Sequence, residues 1–163
     1  MTEEKESIYL YPAALVVPRK PAIVHTILGS CVAVCLYDIK LQYGGINHYM
    51  LPFWNGQGLA SPKYGNIAIE KLYEKMINYG TRHENLIAKV FGGGEVLQTS
   101  FSYFNVGERN VHLANELLAK LKIPIVAHST GGKLGRKIIF NSNTGEISQR
   151  FVKSTTSPNT SSK

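Results

Sequence analysis

Residues 22–51, AIVHTILGSCVAVCLYDIKLQYGGINHYML, decide the fold. They divide into three apolar runs, 22–28, 31–37 and 43–51, separated by Gly29-Ser30 and by residues 38–42. Short runs rich in Val, Ile and Tyr and bounded by turn residues read as strands. The middle run is apolar without interruption, which predicts a strand buried on both faces. The connection at 38–42 lets the second and third strands pair antiparallel.

Outward from this core the period changes. Ile69, Leu72, Tyr73, Met76 and Ile77 recur at helical spacing with Glu70, Lys71, Glu74 and Lys75 opposite, so an amphipathic helix starts near Asn66 and stops at Gly80. Residues 86–91 read as a strand that empties into Gly92-Gly93-Gly94. A second helix is expected from near Asn110 to about Lys122, with Val111, Ala114, Leu117, Leu118 and Leu121 facing inward. Pro124 confines the next strand to 125–128, Thr130-Gly131-Gly132 turns the chain, and 137–140 with 147–151 form a closing hairpin. About seven strands and two helices in irregular alternation argue for an α+β layered domain.

The chain has 163 residues, 44% of them hydrophobic, which suits one domain with a core of its own. Residues 152–163, VKSTTSPNTSSK, are expected to be a disordered polar tail. No run reaches the roughly 20 apolar residues of a membrane helix, and the polar, acidic start MTEEKES is unlike a secretory signal. No membrane insertion and a cytoplasmic location are expected. Cys31 and Cys35 are too few for a disulfide framework, and no second ligand pair accompanies them, so no structural metal is expected. The net charge of +7 is scattered, without a finger motif, an RNA-binding aromatic signature or a dense basic helix. No nucleic-acid partner is expected.

Three features carry chemistry: Gly29-Ser30-Cys31 at a strand entrance, Asn47-His48-Tyr49-Met50-Leu51-Pro52 near the end of the third strand, and the glycines 92–94. Each alone has an ordinary reading: a small buried hydrophobe, a structural imidazole, a bend. Antiparallel pairing through 38–42 brings Cys31 toward His48, and a Cys/His pair is the minimum apparatus for thiol catalysis. An imidazolium neighbour that drew the thiol from a pKa of about 8.5 to about 6 would raise its thiolate fraction roughly thirtyfold at neutral pH. The Cys31 amide is a candidate oxyanion donor, and Gly29 leaves room for a substrate carbonyl. Thr26, on a neighbouring strand, could orient the imidazole; a β-branched residue at home in a strand is the other reading.

Gly29, Ser30, Asn47, Gly92 and Gly93 are candidate substrate-binding residues. Gly131-Gly132 are candidates for the same rim. Arg109 and Arg136 either meet a substrate carboxylate or pair internally, and the internal role is favoured. Cys35 reads as core, and the loop at 53–61, with Trp54, as a gate for substrate.

The blocks TILGSCVAVCLYD at 26–38, GGINHYMLP at 44–52, AKVFGG at 88–93 with Gly94, VGERN at 106–110 and TGGKLGR at 130–136 with Phe140 resemble the chemoreceptor glutamine deamidases of the CheD family. The resemblance spans about residues 21–151 and makes residues 1–151 a CheD-like deamidase domain. It implies an α+β layered sandwich with central, mostly antiparallel β-sheets and two main amphipathic helices. It also implies Cys31 as nucleophile, His48 as base and Thr26 as third member, hydrolysing receptor glutamines to glutamate, with methyl-glutamate esters as a second candidate substrate and with no cofactor. The implied partners are chemoreceptor cytoplasmic domains and a CheC-type phosphatase. The alternative is a non-catalytic docking or regulatory module for the same partners.

Overall fold

The computed structural model of the chain describes residues 4–96 and 105–153. Within them run β1 (Glu6–Tyr9), β2 (Ala14–Val16), β3 (Ala22–Leu28), β4 (Val32–Asp38), β5 (Tyr43–His48), α1 (Gly65–Asn78), β6 (Leu86–Gly92), α2 (Val106–Leu121), β7 (Ile125–Thr130), β8 (Gly135–Asn141) and β9 (Ile147–Val152). The strands form a four-stranded sheet, β1-β3-β8-β9, and a five-stranded sheet, β2-β5-β4-β6-β7. Pairing is antiparallel except for β1 with β3 and β6 with β7. This is the layered α+β sandwich expected from the sequence.

β4 explains the layering. All seven of its residues are buried. Val32, Val34 and Leu36 face α1 and α2, where Ala68, Leu72, Ala114 and Leu118 complete one core. Ala33 and Cys35 face the other sheet, where Val24, Leu28, Ile138 and Phe140 complete a second. Alternate side chains of a strand point to opposite faces, so a strand covered on both sides must be apolar throughout. The turn after β4 is set by Asp38, whose Oδ1 accepts from the amides of Lys40 (2.8 Å) and Leu41 (2.9 Å).

α1 ends as its sequence predicts. Gly80 takes φ +114°, and Thr81 N–H donates to Met76 C=O (3.1 Å) while Gly80 N–H donates to Ile77 C=O (3.0 Å), a Schellman stop.

Several expectations shift. α2 begins at Val106, four residues before the expected Asn110, and takes in Gly107, where a glycine is needed for close packing: a Cβ there would lie 2.5 Å from Gly93 O. Leu113, absent from the expected inward set, is buried as well. The strand expected over 43–51 ends at His48, with only isolated bridges beyond it. β1 and β2 were not expected; both are short edge strands, and the four residues between Tyr9 and Ala14 include Leu10, which is buried, and Ala13 at φ +71°. Of the polar tail expected at 152–163, Val152 closes β9 and residues 154–163 lie outside the described residues.

Candidate active site

The site lies between the two sheets, at the end where β3, β4 and β5 meet the amino-terminal crossover. Thr26 faces inward from β3 and is fully buried, as is His48 at the end of β5 but for 2% of its surface. Their side chains meet: Thr26 Oγ1 and His48 Nδ1 are 2.7 Å apart. The same hydroxyl donates to Leu10 C=O at 2.8 Å. A hydroxyl has one proton to give, so Thr26 must accept from Nδ1–H, and the imidazole carries its proton on Nδ1. Nε2 is then a lone pair. It is buried and has no hydrogen-bond partner among the described residues. Burial lowers the His48 pKa to about 4, so the ring is neutral at physiological pH.

Cys31 sits one residue before β4. β4 and β5 pair with Cys35 opposite Ile46, and the bridge from Val32 to Tyr49 keeps that register. Ala33 thus falls opposite His48 and Cys31 opposite Met50, which makes Cys31 a diagonal neighbour of His48 on the inter-sheet face. Cys31 is partly buried against the inter-sheet core. No hydrogen bond joins its thiol to Nε2. Burial raises the thiol to about 11, against a smaller lowering by its own backbone amide. The expected imidazolium–thiolate pair is therefore replaced by two neutral groups: desolvation disfavours both charges, and neither offsets the other across a hydrogen bond.

The loop carrying Cys31 is fixed by its carbonyls. Gly29 C=O accepts from Gly94 N–H (3.0 Å), Cys31 C=O from Gly93 N–H (2.8 Å), and Ser30 C=O from Asn110 Nδ2 (3.0 Å). Gly92 has φ +110°, and a Cβ there would run into Cys31 O, so glycine is required at this position. The glycine triplet is thus the bed on which the Cys31 loop lies.

Asn47, a candidate substrate contact, is fully buried, and its Oδ1 accepts from Val34 N–H at 2.8 Å. It projects to the face of β5 opposite His48 and replaces a rung of the β4–β5 ladder. Arg136 is buried; it donates to Ser129 Oγ (3.2 Å) and Gly131 C=O (2.9 Å), the internal pairing favoured from the sequence. Arg109 is exposed and lines an open groove with Pro52, Phe53, Gly93, His112 and Thr130. The loop at 53–61 is tethered beside this groove by Trp54 N–H to Asn66 Oδ1 (3.0 Å). Cys35 is buried in the inter-sheet core. Among the described residues no group of three or more His, Cys, Asp or Glu is placed to hold a metal ion.

Asn110 is the residue the sequence reading missed. It is fully buried, and its side-chain amide donates to both Ser30 C=O and Met50 C=O at 3.0 Å. The available signal was a polar residue on the apolar stripe of Ala114 and Leu118, at i, i+4 and i+8.

Residues 50–151 match the profile of the family described as CheD chemotactic sensory transduction. Over 155 residues the chain is 47% identical to a probable chemoreceptor glutamine deamidase CheD of Sulfurimonas denitrificans, an alignment covering 93% of this chain and 98% of that protein. The chain belongs to the CheD family. It is also 50% identical over 139 residues to a CheD protein of Trichlorobacter lovleyi with the same description, covering 85% of this chain and 86% of that one. The family profile begins at residue 50, after Thr26, Cys31 and His48, but the alignment to the Sulfurimonas CheD runs through the segment that holds them. No described helix of this CheD-family chain is long and apolar enough to cross a membrane.

Proposed function

We propose that this CheD-family chain deamidates glutamine side chains on the cytoplasmic domains of chemoreceptors, with Cys31 as nucleophile, His48 as acid–base and Thr26 holding His48. One observation carries the chemistry: Thr26 fixes the tautomer of His48 that leaves Nε2 as a buried, unengaged base on the face shared with Cys31. The names of the relatives supply the substrate class.

With a thiol near 11, only about one molecule in 10⁴ holds a thiolate at pH 7. Attack is therefore coupled to proton transfer. Cys31 Sγ adds to the carboxamide carbon as its proton passes to His48 Nε2, and the carbonyl becomes an oxyanion facing the Cys31 N–H. His48 returns the proton to the departing nitrogen, which leaves as ammonia, and a thioester remains. Water, deprotonated by Nε2, then splits the thioester to give glutamate and the free thiol. A methyl-glutamate ester would follow the same path with methanol as leaving group. Gly29 and Ser30 stay candidate substrate contacts beside Cys31, Gly92 and Gly93 serve the site by bedding its loop, and Asn47 supports the strands from behind. The loop at 53–61 gates the groove, and a CheC-type phosphatase is the partner this reading retains.

The test is mass spectrometry of a receptor cytoplasmic fragment incubated with the protein or with Cys31→Ala. An amide-to-acid mass gain with the native chain alone is expected. Its absence, with the fragment bound by both proteins, would favour the docking module instead.

A further inference from the structure

The Ser30–Cys31 peptide is held from one side only. Its carbonyl, on Ser30, points at α2 and accepts from Asn110 Nδ2. Its N–H, on Cys31, has no backbone or side-chain acceptor other than its own thiol among the described residues. None of the described peptide bonds is cis, and in a trans peptide the C=O and N–H point in opposite directions. Whatever fixes the Ser30 carbonyl therefore aims the Cys31 N–H.

Asn110 is built for that task. Both protons of its amide are used, one on Ser30 C=O and one on Met50 C=O, so a single side chain ties the residue before Cys31 to the segment that follows His48. Its own backbone is held in turn: Tyr49 Oη donates to Asn110 C=O at 2.6 Å. The side chain is fully buried, with its Oδ1 unpartnered among the described residues, a polar cost tolerated inside an otherwise apolar helix face.

We infer that Asn110 is a positioning residue: by holding the Ser30 carbonyl it turns the Cys31 N–H toward the reacting carbonyl and sets the oxyanion site. The inference rests on the deamidase reading above. Asn110 touches neither thiol nor imidazole, so its loss removes stabilisation of the oxyanion and leaves the sulfur's surroundings in place. One missing oxyanion donor costs about 10² to 10³ in kcat.

Asn110→Ala and Asn110→Ser are compared with the native chain in two assays, ammonia release from a receptor cytoplasmic fragment and alkylation of Cys31 by iodoacetamide, which forms no oxyanion. Expected is a fall in kcat of about 10²-fold or more, with KM within about threefold and alkylation within about threefold. Deamidation within threefold of native in either folded variant overturns the inference, as does a parallel fall of deamidation and alkylation, which would mark simple loosening of the loop. If Asn110→Ala does not fold, the smaller change in Asn110→Ser and its kcat decide. A native chain that releases no ammonia overturns the deamidase reading and this inference with it, whereas active native chain with active variants overturns the inference alone.

Discussion

Thr26 dictates the protonation of His48. The two side chains meet at 2.7 Å, but the direction of the bond is set on the far side of Thr26, where Leu10 C=O takes the hydroxyl proton at 2.8 Å. A backbone carbonyl in the amino-terminal crossover thereby decides which imidazole nitrogen is basic.

Thr26→Val keeps the shape and removes the hydroxyl. Leu10 C=O and His48 Nδ1 would both be left buried without a partner, at about 1–3 kcal/mol each. Stability in urea should fall by a few kcal/mol and kcat by about 10²-fold or more, whereas Thr26→Ser should retain most of both. Urea melts with steady-state kinetics check this, and a fully active Thr26→Val would remove Thr26 from the site.

The His48 pKa lies below its ordinary value of 6.5, at about 4, because burial disfavours the imidazolium. Below pH 6.5 the unfolded chain binds a proton that the folded chain refuses. The stability owed to a neutral His48 is therefore complete above pH 6.5 and is lost as pH falls toward 4, up to about 3 kcal/mol in all. Urea melts between pH 7 and pH 4 should show this slope, and His48→Gln should flatten it.

Cys31 shifts the other way, from 9.0 to about 11. Its alkylation by iodoacetamide should climb steadily from pH 8 to pH 10.5 without a shoulder near pH 6. A shoulder there would reveal the imidazolium–thiolate pair that this geometry lacks. The raised thiol also implies that stability declines as pH rises from 9 toward 11.

Gly92→Ala places a side chain at φ +110° and against Cys31 O. Backbone strain alone costs about 1–3 kcal/mol, and the collision adds to it. Thermal melting should fall by several degrees, and residual activity should drop more than the folded fraction does, because the Cys31 loop must move. Equal losses would mean that the glycine serves stability only.

Asn47→Ala separates a strut from a substrate contact. It strips the acceptor from the buried Val34 N–H, so stability should fall by about 1–3 kcal/mol while KM for the receptor fragment stays within about twofold. A large rise in KM with unchanged stability would return Asn47 to the substrate.

The legible parts of this fold were those that local pattern determines. The unbroken apolar run of β4 foretold burial on both faces, and Gly80 marked the end of α1, because each effect acts within a few residues of its cause. β1 and β2 gave no such signal: they are three or four residues long and lie at sheet edges, where pairing with β3 and β5 makes them strands. The start of α2 was hidden because Gly107 answers to the distant Gly93 rather than to its own helix. In the site, the approach of Cys31 to His48 followed from hairpin register. The Thr26–His48 contact joins two different sheets, and no spacing rule reaches across them: the strand pattern left Thr26 open between orienting the imidazole and a plain strand residue, and the family resemblance favoured the first. Desolvation was equally invisible, so an ion pair was expected where two neutral groups lie.

The crossover at Leu10 has a mechanical consequence. Leu10 N–H holds His25 C=O on one sheet (2.8 Å) and Ala13 N–H holds His48 C=O on the other (2.8 Å), so one short length of backbone laces the two sheets together beside the imidazole. Slack in that lacing, from warming or from an amino-terminal clip, would reach the proton on Nδ1 before it reached the apolar cores. Catalytic competence is thereby tied to the tautness of the sandwich and should fade while the chain is still folded.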